Sequence, residues 1–278
     1  MKQKQRIALF GMVAVALIFA ACDGDSGNNS TEMEGNSSSS TGIYSSGGQV
    51  NSSAAVNSSS SSIGGLSLSA EVQSSSSSIE YGTLIYGGQT YKTVTIGTQT
   101  WMAENLNYAD SAAMPNLKGS SWCYDNSVDS CAKYGRLYTW TAAMDIASSY
   151  QSVSASAVIS APHQGVCPAG WHIPTNAEWT IFENFVGGEE TAGTYLKSTS
   201  GWSNSGNGTD AYGFSALPAG IRSYYDGFGY VGYYAIFWSA TEGGTDSAYY
   251  LGLYYVSAGM GTGSDVKNDA FSVRCVQN

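Results

Sequence analysis

The hydrophobic and polar positions divide the chain into three stretches of different character. Lys2, Lys4 and Arg6 precede an apolar run from Ile7 to Phe19, and small residues lead from there to Cys22. That run is shorter than the ~20 apolar residues a transmembrane helix needs, and it has the layout of an export signal. Residues 22–79 are polar and serine-dominated after Cys22, with serine runs at 37–40, 58–62 and 74–78. The apolar islands Ile43-Tyr44 and Ile63 to Leu68 are too small to build a core. This stretch is predicted to be a disordered linker, a coil of ~57 residues spanning about 40 Å.

Periodic patterns begin only after residue 80. Gln89 to Ile96 alternates, with Val94 and Ile96 on one face and Thr93 and Thr95 on the other. Gly97-Thr98 then turns the chain into Gln99 to Met102, which predicts a hairpin. Leu137, Trp140 and Met144 recur at helical spacing and predict a helix over Tyr134 to Ile146. A second helix is predicted after Pro174, because Thr175-x-x-Glu178 is a capping box. Trp179, Phe182 and Val186 form its buried stripe, and Gly187-Gly188 ends it. Beyond Tyr195 the chain is rich in Gly, Tyr, Ser and Asn, with short strand candidates at Phe214–Leu217, Ala235–Ser239, Ala248–Tyr254 and Phe271–Val276. The expected fold class is α+β: two helices, small antiparallel sheets and a long loop region in a single domain. The organisation is therefore 1–21 leader, 22–79 linker and 80–278 head.

Charge narrows the partners. The chain holds 11 basic and 21 acidic residues, a formal net charge of −10. Its leader carries three basic residues and no acidic ones, so the remainder of the chain is more acidic still. A polyanion repels nucleic acid, and no basic patch offsets that. Cys22 at the end of the leader matches a bacterial lipoprotein signal, in which the thiol is acylated and becomes the anchor. The expectation is a lipid-anchored cell-envelope protein, held at the outer membrane and exposed at the surface. Cys123, Cys131, Cys167 and Cys275 remain, an even set in an oxidising compartment, so two disulfides are expected. Three pairings are open. Cys123–Cys131, a small local loop, with Cys167–Cys275, a staple to the last strand, is favoured. Zinc is disfavoured because there is no Cys-x-x-Cys and His163 and His172 are not at paired ligand intervals.

Several ordered blocks carry a resemblance. Tyr91-Lys92-Thr93-Val94-x-Ile96-Gly97-x-Gln99-x-Trp101-Met102-Ala103-Glu104-Asn105-Leu106 is one, and Tyr134-Gly135-Arg136-Leu137-Tyr138-Thr139-Trp140 is another. Cys167-Pro168-x-Gly170-Trp171-His172-Ile173-Pro174, Phe237-Trp238-Ser239-Ala240-Thr241-Glu242 and Ser272-Val273-Arg274-Cys275-Val276 come later in the chain. Over Tyr86–Val276 the chain resembles the Fibrobacter succinogenes major paralogous domain family. That resemblance implies a secreted or lipid-anchored bacterial protein of a class largely without assigned activity. The order of helices and long loop resembles the C-type-lectin-like fold. The block from His172 to Trp179 is similar to the helix start of formylglycine-generating enzymes, which share that fold.

Candidate chemistry is uneven. His172 and Glu178 are close in sequence, but the capping box already accounts for Glu178, and no Ser-His-Asp order stands out. No enzymatic activity is expected, and no cofactor. Asn204, Asn207, Asp210, Asp226, Glu242 and Asp246 are oxygen donors in the loop-rich part, which makes calcium a candidate; turn-building is the competing explanation. The aromatic surplus is more suggestive. Tyr224, Tyr225, Phe228, Tyr230, Tyr233 and Tyr234 crowd together, and Tyr249/Tyr250 and Tyr254/Tyr255 lie beyond them. Aromatic faces stack on sugar rings and also supply contact area in protein-binding loops. The expected ligand contacts are Tyr224, Tyr225, Tyr230, Tyr233 and Tyr234, with Asp210 and Asp226 as polar partners. The expected function is non-catalytic binding of an extracellular polysaccharide or surface protein.

Overall fold

The computed structural model describes residues 78–278. The leader, Cys22 and nearly all of the linker lie outside the described residues. In chain order the strands are β1 (Gly82–Tyr86), β2 (Gln89–Ile96), β3 (Gln99–Met102), β4 (Ser121–Trp122), β5 (Leu137–Thr139) and β6 (Trp171–His172). They continue with β7 (Ile221–Ser223), β8 (Gly227–Gly229), β9 (Tyr234–Glu242), β10 (Ser247–Tyr254), β11 (Met260–Val266), β12 (Ala270–Phe271) and β13 (Val276–Gln277). The α-helices are α1 (Val128–Tyr134), α2 (Trp140–Ala143), α3 (Asn176–Phe185) and α4 (Ala192–Leu196). The fold is α+β, with every named strand pair antiparallel.

Three sheets carry the strands, in the orders β1-β2-β3-β13-β6, β11-β10-β9 and β4-β5-β12-β7-β8. The last strand of the chain thus pairs with β3, near the beginning of the head. The alternation of β9 divides the core. Ile236, Trp238 and Ala240 face one apolar cluster with Tyr138, Trp140 and Phe271, while Ala235 and Phe237 face a second with Trp101, Trp179, Phe182 and Phe214. Trp101 and Trp179 stack at 4.6 Å in that second cluster. Among the described residues no helix is long and apolar enough to cross a membrane.

The β2–β3 hairpin forms as its alternation predicts, with Val94 opposite Trp101 and Ile96 opposite Gln99. Tyr91 and Thr93 are buried as well, so both faces of β2 are partly covered. The capping box is present: Thr175 accepts from the Glu178 amide, and Glu178 accepts from the Thr175 amide at 2.8 Å. Trp179, Phe182 and Val186 are fully buried. Both cysteine pairs join as favoured, Cys123–Cys131 and Cys167–Cys275.

Three expectations about elements are corrected. The helix over Tyr134 to Ile146 does not form: α1 precedes it, β5 occupies Leu137–Thr139, and only Trp140–Ala143 is helical. Gly135 sits at φ +72°, and a side chain there would meet the Asn105 and Leu106 backbone, so the chain must break at that point. Leu137, Trp140 and Met144 are all buried, but β4 and β12 flank β5, and sheet pairing overrides the helical spacing. Phe214–Leu217 is no strand; it makes a single bridge, Lys197 with Ala216, and Ser215 has φ +53°. The Phe271–Val276 candidate splits into β12 and β13: Ser272 crosses to a parallel bridge with Phe237, and Val273 to Cys275 run between the strands carrying Arg274 and the disulfide.

Two buried cations organise the loops. Arg274 is 1 % exposed; its guanidinium donates to Asn105 Oδ1 at 2.8 Å, Met102 O at 3.3 Å, Ser215 O at 3.0 Å and Phe214 O. It also lies 4.3 Å from the Phe214 ring. Lys267 is fully buried; its Nζ donates to the carbonyls of Tyr150, Val153 and Thr245 and pairs with Glu242 at 2.6 Å.

Candidate functional site

The tyrosine-rich segment folds into the β7–β8 hairpin and the turn that succeeds it. Ser223 pairs with Gly227, leaving Tyr224, Tyr225 and Asp226 as a three-residue tip. Gly227 closes that tip at φ +77°, where a glycine is nearly free of steric cost. The tip is anchored from below. Tyr224 N donates to Asp269 Oδ1 at 2.7 Å, and Tyr225 N donates to Ser223 Oγ at 3.3 Å. Asp269 is buried, and that burial raises its carboxyl to about 6. The Tyr224 amide and the Arg222 charge partly oppose the shift, while Asp265 and Asp226 add to it.

Four of the five expected tyrosines are exposed: Tyr225 at 80 %, Tyr224 at 58 %, Tyr230 at 48 % and Tyr233 at 38 %. Tyr224 and Tyr225 meet edge to face at 5.1 Å. Tyr230 holds a left-handed backbone at φ +64°, and its carbonyl accepts from both Tyr233 N and Tyr234 N. Its ring stacks on Tyr234 at 4.5 Å with 7° between planes. Tyr234 is the exception. It is half-buried between Tyr230 and Tyr254, and burial with the neighbouring phenols raises its hydroxyl pKa. Its part is to support Tyr230.

The two carboxylates part company. Asp226 is exposed at the tip beside Tyr225. Asp210 is away from it, accepting from Ser215 N at 2.6 Å and Ser215 Oγ at 2.5 Å, where it braces the turn that holds Arg274. Burial raises the Asp210 carboxyl against the pull of Ser215 and Arg274.

The calcium candidates are likewise dispersed into separate tasks. Asn207 Oδ1 accepts from Trp202 N, and Glu242 accepts from Lys267, the Ala155 amide and Ser154. Asn204 sits in a left-handed turn, and Asp246 is exposed. Among the described residues no group of three or more His, Cys, Asp or Glu side chains could hold a metal ion.

His172 and Glu178 do meet. His172 Nε2 lies 2.6 Å from Glu178 Oε1, and Nδ1 lies 2.7 Å from Asn278 Oδ1. Glu178 keeps its other oxygen for Thr175. Burial opposes the imidazolium, but the Glu178 and Asn278 bonds and the Glu178 charge outweigh it and raise the His172 pKa. For Glu178, burial is likewise outweighed by His172 and Thr175, and the carboxyl is lowered. The pair locks the start of α3. His172 stabilises below its ordinary value near 6.5 and loses that contribution as pH rises through its raised folded value. Glu178 stabilises above its ordinary value near 4.5 and loses its contribution as pH falls through the lowered one. The pair should therefore contribute most between those two values. On going from about pH 5.5 to about pH 8.5, the denaturant midpoint should fall more in the wild type than in His172→Gln; equal falls would contradict the assignment.

A second cluster flanks the tyrosines, and sequence reasoning missed it. Arg222 faces Phe228 across the hairpin, and its guanidinium lies 4.1 Å from the Trp122 ring and 5.8 Å from that of Phe228. Tyr124 meets Phe228 at 5.4 Å. Trp122 and Tyr124 flank Cys123, and Arg222 and Tyr224 share strand parity; those spacings are the signal that could have found them. Clefts of about 340 Å³, lined by residues including Lys92, Glu104 and Lys133, and about 550 Å³, beside Tyr81 and Tyr212, are formed by other residues.

No curated protein and no solved structure matches the chain. A family model described as Fibrobacter succinogenes major domain matches residues 94–277, which include both disulfides, Arg274 and the tyrosine hairpin. The chain belongs to the Fibrobacter succinogenes major domain family.

Proposed function

We propose that this is a non-catalytic binding protein of the cell envelope, whose head presents the tyrosine hairpin to an extracellular polysaccharide. The observation that carries the reading is four exposed tyrosines on one short segment, Tyr224 and Tyr225 at the hairpin tip and Tyr230 and Tyr233 just past its base. Exposed aromatic rings of this kind normally mark a contact surface. Anchoring of the tip by Asp269 limits the entropy lost on binding. In this reading Cys22 carries the lipid, residues 22–79 are the spacer, and the anchor lies in the outer membrane. The head is a C-type-lectin-like domain. Support for non-catalytic function against a formylglycine-type enzyme comes from the cysteines, since all four of the head are consumed in disulfides.

Binding of the full chain to insoluble cellulose and hemicelluloses tests the proposal. Alanine at both Tyr224 and Tyr225 should weaken binding about tenfold, the size expected for two stacking contacts, with an unchanged unfolding midpoint. Unchanged affinity would remove these residues from the site.

A second reading has its own support. Ile181 and Phe185 on α3 and Tyr195 on α4 are exposed apolar side chains, the kind of surface that another envelope protein would cover. Partners co-purifying from gently solubilised membranes, and lost on Phe185→Asp, would favour it.

A further inference from the structure

The head is acidic, and four of its eight Lys and Arg side chains are committed. Lys197, Lys267 and Arg274 are buried, and Arg136 donates to Ser121 and to the sulfurs of the Cys123–Cys131 bridge. Arg222 differs. Among the described residues only His172–Glu178 and Lys267–Glu242 approach within ion-pair distance, so the Arg222 charge acts on Asp269 from farther off and is not closed into a pair. Yet it is half-buried, with its guanidinium 4.1 Å from the Trp122 ring and 5.8 Å from that of Phe228.

We infer that Arg222 is a recognition point for a carboxylate on the ligand, so that the polysaccharide bound by the tyrosine hairpin carries uronate groups. This rests on the polysaccharide-binding reading above and names the chemistry of its ligand. The two rings confine the guanidinium without taking its hydrogen bonds, and a planar fork of donors matches a carboxylate bidentately. The supports are themselves fixed. Trp122 pairs with Leu137 across β4 and β5, and the adjacent Cys123 is tied to Cys131. Arg222 pairs with Ala270 on one side and Phe228 on the other. It lies two residues from Tyr224, so a sugar ring on the tip and a carboxylate at Arg222 can belong to one chain.

The surroundings also restrict the ligand. Asp269 spends an oxygen on Tyr224 N, and Asp226 and Asp265 add negative charge around it. A continuous polyanion would meet that field along its whole length. An isolated uronate on an otherwise neutral backbone meets that field at one point only, beside the Arg222 charge, and the rest of its chain adds no repulsion.

The test uses the full chain, a xylan bearing scattered glucuronate groups, and the same xylan after carboxyl reduction. The wild type should bind the carboxylated polymer about tenfold more tightly, and added salt should shrink the difference. Arg222→Gln should bind the two polymers with equal affinity, and Arg222→Lys should keep only part of the preference. Equal affinity for both polymers, still lost on Tyr224→Ala/Tyr225→Ala, would overturn the carboxylate inference and leave the aromatic surface standing. A preference that survives Arg222→Gln would overturn it too. Absence of binding to either polymer would overturn the inference together with the reading on which it rests.

Discussion

Replacement of Arg274 by methionine is expected to lower the unfolding free energy by about 3–5 kcal/mol, because four buried acceptors lose their donor at once. The side chain is buried among Phe214, Phe237 and the loop carbonyls, and burial pulls its pKa down to about 9. Methionine would fill part of the volume but satisfy none of the acceptors at Met102, Asn105, Phe214 and Ser215. Each buried acceptor left unpaired costs roughly 1–3 kcal/mol before relaxation. Urea unfolding is the measurement, with Arg274→Lys as a second variant that restores the charge but only part of the fork. A loss below about 1 kcal/mol for methionine would mean that water replaces the guanidinium and that Arg274 does not organise these loops.

The disulfide between Cys167 and Cys275 should be worth a similar amount. Its cysteines are 108 residues apart, and closing a loop of that length restricts the unfolded chain by up to about 5 kcal/mol. Alanine at both positions should lower the midpoint of thermal unfolding by roughly 10 °C, given a head of this size. The Cys123–Cys131 bridge spans only 8 residues, so its removal should cost less. A midpoint insensitive to loss of the long bridge would show that β13 holds its place through Trp101 and His172 alone. Because Arg274 precedes Cys275, the two losses should be less than additive when combined.

How legible the fold is from sequence depends on the range of its interactions. The β2–β3 hairpin and α3 are specified locally, by Gly97-Thr98 and by Thr175 with Glu178, and both form as read. Tyr134 to Ile146 misleads because Leu137, Trp140 and Met144 satisfy helical spacing while their real partners, β4 and β12, lie far away in sequence. Phe214–Leu217 fails for a related reason: its carbonyls turn toward Arg274, some sixty residues onward. Strands such as β8 and β11, which periodicity does not reveal, are rich in glycine, which carries no alternation to detect.

Within the candidate site, Tyr224, Tyr225, Tyr230 and Tyr233 are legible because crowding of one residue type is a local signal. The burial of Tyr234 and the withdrawal of Asp210 to Ser215 are not, since each depends on a neighbour's placement. Arg222 is invisible for the same reason, because Trp122 lies a hundred residues before it.

Lys267 carries a last implication. Three carbonyls and one carboxylate around a buried amino group make a site of the kind that a bound metal ion could occupy, yet here the cation is part of the chain. A dissociable ion stabilises a fold only in proportion to the logarithm of its concentration. A cation joined by four methylenes has no such dependence. The loops that meet at Tyr150, Val153 and Thr245 are therefore held equally in dilute and in ion-rich surroundings.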